Sequence, residues 1–415
     1  MGNKIQNVKG FRDFLPEEKR RRDYIAEKIK QSFDLFGFEP LETPVVEYKE
    51  LLSGKYGEEA DKLLYTFEDR GGRGLGLRYD QTVPTARVIA QYREQLPKYF
   101  RRYQIQDNFR AEKPQKGRYR QFTQCDIDIF NANSPLADAE ILAATFAAYK
   151  NIGFKDIQLW INDRTVLIET VSEFETEQVD KFSIIQTIDK LDKKSEAEVV
   201  AELVKKRIEP ARAEELMQKI RGTKASEKLS QIISYALELG IPENTFVFRA
   251  ELARGLDYYT GMIFEIKSPS YPAGSLGGGG RYDNLLGNLM GVDIPAVGVA
   301  FGFDRTVEAA EELGLINLAQ NTQKILVTVL GEETSKDSLQ AAARLRNKGI
   351  TCELFPDEGI KLSKQLKYAN DAGFDFVVLI GEEEQNKGVV KLKNMASGKE
   401  TEVQPQLLSD EFLEL

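Results

Sequence analysis

The 415-residue chain contains no histidine. That absence removes the commonest general base and the commonest metal ligand, so any chemistry must run on positioning, fixed charge or carboxylates. Cysteine is nearly absent too. Cys125 and Cys352 are too few for a disulfide framework and too far apart in sequence for a metal knuckle, so both are expected to be small buried residues. No apolar run approaches the length of a bilayer, and the opening MGNKIQNVKGFRDFLPEEKRRR carries no hydrophobic signal core. A cytoplasmic protein with no membrane partner is the expectation. Basic residues are in deficit, 57 against 66 acids for a net charge of −9, so nucleic-acid binding would have to rest on a local positive stripe.

The length predicts two or three cores. Residues 16–36 place Ile25, Ile29, Phe33 and Phe36 at helical spacing behind Pro16 and before Gly37, the pattern of an amphipathic helix. From 38 to 130 short apolar or alternating runs broken by Gly and Pro predict antiparallel strands. No glycine lies between Gly153 and Gly222, and the composition there favours helices, so a helical insertion is placed at about 170–240. Strands return with FVFRAEL, YYTGMIFEIK and PAVGVAFGF. Beyond about 320, strands alternate with helices, which predicts a small α/β domain with a largely parallel sheet. The expected division is 1–320 and 324–415, joined through polar NLAQNTQ. The fold class is α+β: an antiparallel-sheet domain with a helical insertion, then the α/β domain.

Five stretches carry candidate chemistry. In YRQFTQCDIDIF, period two puts Thr123, Cys125, Ile127 and Ile129 on one face and Arg120, Phe122, Gln124, Asp126 and Asp128 on the other. The second face is either solvated or a site. The hairpin FRAEKPQKGRYRQ sets Arg110, Lys113, Lys116, Arg118 and Arg120 against the single acid Glu112, a patch suited to phosphates. GSLGGGGRYDNLLG fits neither phosphate-loop pattern and reads as a flexible turn, although its glycines permit close backbone approach. Arg305 falls in the first turn of a helix, where the dipole disfavours it, so it needs a partner: Glu308 at i+3, or a nucleotide. LARGLDYYTGMIFE reads as a buried strand with unlikely occupants in Arg254, Asp257, Tyr258 and Tyr259.

GFRDFLPEE, LRYDQTVPTAR, the basic hairpin, the insertion, ARGLDYYTG, GGGGRYDNLL, VGVAFGFDR and a C-terminal α/β domain follow one another in a fixed order. In that order the chain resembles the class II aminoacyl-tRNA synthetases, and among them the histidyl-tRNA synthetases. The resemblance implies that histidine and ATP, with Mg²⁺, give histidyl-adenylate, and that the histidyl group then passes to the 3′ end of tRNA(His). It implies that Arg110 grips the α-phosphate and Arg118 the outer phosphates, while Glu112, Phe122 and Arg305 surround the adenine. Asp80, Thr82 and Gln124 would hold the α-amino group. Asp128 and Tyr259, with Tyr258 in the same wall, would face the imidazole, and Arg254 would neutralise charge developing in the reaction. Lys113 and Gln115 would meet the tRNA, and Asp257 would support the wall. No metal site built from protein alone is implied. A homodimer is implied, with the first helix and ETPVVEY as its interface. Aspartate stands at 80 and 128 where bacterial relatives often have glutamate, and lysine stands at 113 where they have arginine; lysine cannot copy a bidentate fork. The alternative is a non-catalytic regulatory subunit of histidine biosynthesis that shares the synthetase architecture.

Overall fold

A computed structural model describes residues 5–53, 61–115, 117–254, 258–291, 293–318 and 323–413. Lys116 and Asp257, both singled out from the sequence, lie outside them. The chain divides into two compact units, Met1–Ile316 and Asn317–Leu415.

The first helix, Pro16–Leu35, starts on proline, carries Glu17 and Glu18 in its first turn, and buries Ile25, Ile29 and Phe33. Then come β1 (Glu39–Pro40), β2 (Val46–Tyr48), β3 (Thr66–Glu68), β4 (Gly74–Leu77), β5 (Arg101–Phe109) and β6 (Gln121–Phe130). The expectation of strands alone from 38 to 130 fails at two segments among the described residues: Lys49–Leu52 is a single helical turn, and Thr82–Tyr92 is a helix with Pro84 tolerated in its first turn because the amides there have no intrahelical acceptor. After the helix Pro135–Ile152 follow β7 (Gln158–Asp163), β8 (Phe246–Phe248), β9 (Met262–Lys267), β10 (Gly277–Arg281) and β11 (Ala296–Gly302).

Eight strands form one sheet in the order β1-β5-β6-β11-β10-β9-β7-β8, antiparallel from β5 to β7 and parallel at both edges. One face packs Cys125, Ile127, Ile129, Phe264, Ile266, Val297, Val299 and Phe301 against the helices Pro16–Leu35, Pro135–Ile152 and Glu227–Glu238. Cys125 is buried as expected. The opposite face holds Gln124, Asp126 and Asp128 of β6 opposite Gly302, Ala300 and Gly298 of β11. It is not a solvent face, because Asp126 and Asp128 are both buried.

GGGG is not a flexible turn but strand β10, between β9 and β11. Its neighbours leave no room for side chains: a Cβ on Gly279 would stand 2.0 Å from the carbonyl oxygen of Gly298. LARGLDYYTGMIFE is likewise only part strand, since β9 starts at Met262 and Arg254 takes φ +49°, a left-handed conformation no strand contains.

The insertion also has different limits. Helices from Arg164 to Gly222 build a separate core around Leu167, Ile184, Leu203, Leu216 and Ile220, whereas Glu227–Glu238 packs its Leu229, Ile232 and Ala236 into the main core. Helix-rich composition alone could not separate the two cores.

In the second unit β12 (Ile325–Val327) pairs in parallel with β13 (Cys352–Leu354) and β14 (Phe376–Leu379). The sheet is more mixed than its alternating rhythm suggests, because β15 (Val390–Asn394) and β16 (Glu400–Val403) continue it as an antiparallel hairpin. Among the described residues no helix is long and apolar enough to cross a membrane.

Candidate active site

On the glycine-floored face, Asp128 is seated opposite Gly298, where a Cβ would fall 1.8 Å from Asp128 Oδ1. The Tyr282 hydroxyl donates to Oδ1, and Nη2 of the buried Arg102 lies 2.5 Å from Oδ2. Burial pushes the Asp128 carboxyl up, opposed by Arg102 and Tyr282. Asp126 is driven well up, first by burial and then by the Asp128 charge, with Arg102 opposing from 4.0 Å. Beside them the Gln124 side-chain carbonyl accepts from Asn108 at 2.6 Å, and its backbone carbonyl accepts from Gln81 at 3.0 Å. Arg102 and Tyr282 escaped the sequence reading. Tyr282 lay in the quoted GGGGRYD, but nothing in the spacing pointed it at Asp128; Arg102 sits in a strand with no distinctive pattern.

The loop before β9 supplies the other wall. Arg164 Nη1 donates to the carbonyls of Ala253 (3.0 Å) and Arg254 (3.2 Å), and Asn162 donates to those of Ala250 and Leu252, both at 2.9 Å. These bonds hold the strained backbone of Arg254 in place. The Arg254 guanidinium donates to the carbonyl of Phe264 at 3.0 Å and stands 4.0 Å from Glu265, while its Nε has no acceptor among the described residues. The rings of Tyr258 and Tyr259 lie 4.7 Å apart, and Tyr282 meets Tyr258 edge-on at 5.8 Å.

Two cavities open on this face. The first, about 590 Å³, is lined by Asp80, Arg110, Arg254 and Glu265, with Lys193 from the insertion. The second, about 760 Å³, is lined by Arg110, Glu112, Gln115, Arg118, Phe122 and Arg305, again with Lys193. Arg110 thus faces both. Its guanidinium is held over Tyr79 at 4.2 Å and near Phe122 at 4.9 Å, and it donates to the Tyr79 carbonyl at 3.2 Å.

Asp80 accepts from the amides of Thr82 (3.0 Å) and Val83 (3.2 Å) and so starts the helix that carries Thr82. Arg118 pairs with Glu112 through two nitrogens, one bond measuring 2.7 Å. Arg305 is partnered by the Ser275 carbonyl at 2.7 Å rather than by Glu308, because the loop before β10 comes closer than the next helical turn. Thr82, Gln124, Asp128, Tyr258 and Tyr259 line neither cavity, and Lys113 is exposed on the hairpin. Asp304, also missed in the sequence, ties three segments together by accepting from Arg12 (2.8 Å), Arg22 (2.5 Å) and the Thr123 amide (3.0 Å).

The family profile described as "Histidyl-tRNA synthetase" matches residues 10–306, and one described as "Anticodon binding domain" matches 324–415. A histidine–tRNA ligase of Gloeobacter violaceus is 36% identical over 447 aligned residues, covering 95% of each chain. One of Wolinella succinogenes is 37% identical over 417, covering 95% of this chain and 94% of the relative. The crystal structure of histidyl-tRNA synthetase from a Nostoc species superposes with a TM-score of 0.82 at 29% identity, covering 99% of this chain and 100% of that one. Likeness of this extent, across both units and in sequence as well as fold, means that the chain belongs to the histidyl-tRNA synthetase family.

Proposed function

We propose that the chain is a histidine–tRNA ligase: it condenses histidine with ATP to histidyl-adenylate, releasing pyrophosphate, and transfers the histidyl group to the terminal ribose of tRNA(His). The observation that carries the mechanism is Arg110, the arginine shared by the two cavities. Histidine would occupy the first and the adenine nucleotide the second, so the reacting carboxylate and α-phosphate would meet beside it.

Attack of one anion on another needs in-line placement and fixed positive charge rather than a general base. Arg110 and Arg254 supply that charge from opposite walls, and a chain without histidine loses nothing by it. Glu112, Phe122, Arg118 and Arg305 would hold the nucleotide, while Asp80, Thr82 and Gln124 would hold the substrate's ammonium group. Asp128, backed by Tyr282, would accept from the imidazole, and Tyr259 would close the other side of the ring. Groups placed for both ring nitrogens are left unpaired by an apolar analogue, a penalty that reaches factors of ~10⁴.

Among the described residues no three carboxylate or cysteine side chains converge on one point. Mg²⁺, a hard cation that keeps oxygen ligands, would be held by the nucleotide phosphates and carboxylates, neutralising phosphate charge when bound. Lys113 and Gln115 on the hairpin and the C-terminal unit would engage the tRNA. The exposed Val45, Val46, Tyr48 and Phe67 support a homodimer built around ETPVVEY. Cytoplasmic residence fits this substrate set.

The decisive experiment is ATP–pyrophosphate exchange against a panel of amino acids. Exchange with histidine alone is expected. Exchange with none would favour the regulatory reading, which the retained Arg110, Arg254 and Arg305 and the anticodon-binding match weigh against.

A further inference from the structure

Arg102 on β5 is 1% exposed and lines neither cavity, yet it is packed among acids of the histidine side of the site. Its Nη2 lies 2.5 Å from Asp128 Oδ2 and 4.0 Å from Asp126 Oδ2, and its Nη1 donates to Gln104 at 3.3 Å. A buried guanidinium with two buried carboxylates is a poor device for stability alone, since apolar residues of similar volume often serve as well or better.

The two acids are not equivalent. Asp128 accepts from Tyr282 at Oδ1 and has Arg102 Nη2 2.5 Å from Oδ2, an ion pair without an aligned hydrogen bond, whereas Asp126 has that nitrogen only at 4.0 Å and no hydrogen-bond partner for its Oδ1 among the described residues. Asp80 and Arg110 are the other charges acting on the pair. Arg102 is the cation in ion-pair contact with these acids among the described residues, and its shorter contact favours Asp128 as the ionised one.

We propose that Arg102 is the positioning residue for recognition of the substrate's ring: by fixing Asp128 as an ionised acceptor, it makes selection of imidazole depend on a guanidinium that never touches substrate. Asp126 serves as its neutral neighbour. Without Arg102, an aspartate in so dry a place takes up a proton, and its O–H then competes with the ring N–H it should accept. The inference rests on the reading that Asp128 meets the imidazole.

The test measures KM for histidine and for ATP separately, by pyrophosphate exchange with the full chain. Arg102→Met is expected to raise the histidine KM at least about tenfold while the ATP KM stays within about twofold. Arg102→Lys, which keeps the charge, should recover most of that loss, and Asp126→Asn should leave the histidine KM within about twofold. Equal rises in both KM values for Arg102→Met, or no rise in either, would overturn the proposal. If Arg102→Met does not fold, the other two variants decide. Arg102→Lys raising both constants alike, or Asp126→Asn raising the histidine KM by more than about fivefold, would sink it. Asp128→Asn separates the two levels: if it leaves the histidine KM unchanged, the reading of Asp128 itself is wrong, whereas a large rise there with none for Arg102→Met refutes only the role of Arg102.

Discussion

Gly278 and Arg254 claim the same space: a Cβ built on Gly278 would stand 1.4 Å from Arg254 Nη1 and 2.6 Å from the carbonyl oxygen of Phe264, the acceptor of that same guanidinium. Gly278→Ala therefore cannot be absorbed by a rotamer change alone, since the backbone of β9 blocks the other side. Adenylate formation should fall ~10²–10³-fold as the guanidinium loses its place, which pyrophosphate exchange would read directly. Wild-type exchange in this variant would show that the position of Arg254 is immaterial.

Arg254→Ala tests the charge itself. Among the described residues the side chain makes one hydrogen bond, to a backbone carbonyl, and the carboxylate 4.0 Å away, Glu265, keeps Lys267 at 3.1 Å, so its removal should cost the fold little. Exchange should drop by ~10² or more while the melting temperature hardly moves. A large loss of thermal stability with normal exchange in the surviving fraction would make Arg254 a structural residue.

The fold was legible where one rule governed a segment. Helix Pro16–Leu35 obeys a single periodicity, and β6 sorts its faces by period two because Cys125, Ile127 and Ile129 really do share a core. GGGG was illegible as a strand because propensity argues against it; the neighbouring backbones, the Arg254 guanidinium and the side chains of Tyr259, Ile263 and Ile266 explain why nothing larger fits. Arg254 was assigned to a strand because its neighbours are apolar, while its φ of +49° depends on bonds from Arg164 and Asn162, far away in sequence. The charged members of the site were visible as odd residues. Their partners Tyr282, Arg102 and Asp304 were not, since each acquires meaning only across the sheet.

Lys113 separates the two half-reactions. It is exposed on the hairpin and lines neither cavity, whereas Glu112 beside it is buried against Arg118. Lys113→Ala should leave pyrophosphate exchange unchanged and lower kcat/KM for tRNA charging several-fold, by roughly 1–2 kcal/mol for one lost phosphate or base contact. Equal loss in both assays would move Lys113 into the nucleotide site.

Glu202 of the insertion accepts from Lys190 and from Lys194, the latter at 2.9 Å. Those lysines flank Leu191, Asp192 and Lys193, which line the first cavity. The hydrogen bond from Lys190, followed by that from Lys194, lowers the Glu202 carboxyl from 4.5 to about 2. A depressed carboxylate stabilises the folded form above its unfolded value, and that contribution is lost as pH falls from 4.5 towards 2. Because the pair is close to solvent its worth is under ~1 kcal/mol. Glu202→Gln should speed amide exchange of residues 189–194 at pH 6, and the difference from wild type at matched pH should vanish on acidification. A difference that persists in acid would place its cause elsewhere.

The deepest ion pair of the first unit among the described residues supports the site from behind. Arg281, beside Tyr282, is 1% exposed and Asp138 is fully buried. The guanidinium donates to both oxygens of Asp138 (3.0 and 3.1 Å from Nε), to the carbonyls of Ala132 (2.9 Å) and Ser134 (3.3 Å), and to Asp283 (3.0 Å). It thereby pins the end of β10 to the start of helix Pro135–Ile152. Arg281→Met would leave Asp138 buried without its cation and should cost ~3–5 kcal/mol; Arg281→Met with Asp138→Leu should recover much of that, because the burial cost of both charges disappears together. The single tryptophan, Trp160 on β7, reports this unit alone, so urea unfolding followed by its fluorescence measures both variants. If the double variant proves no more stable than the single one, the pair is worth more than the desolvation it costs, and the clamp is a source of stability as well as of position.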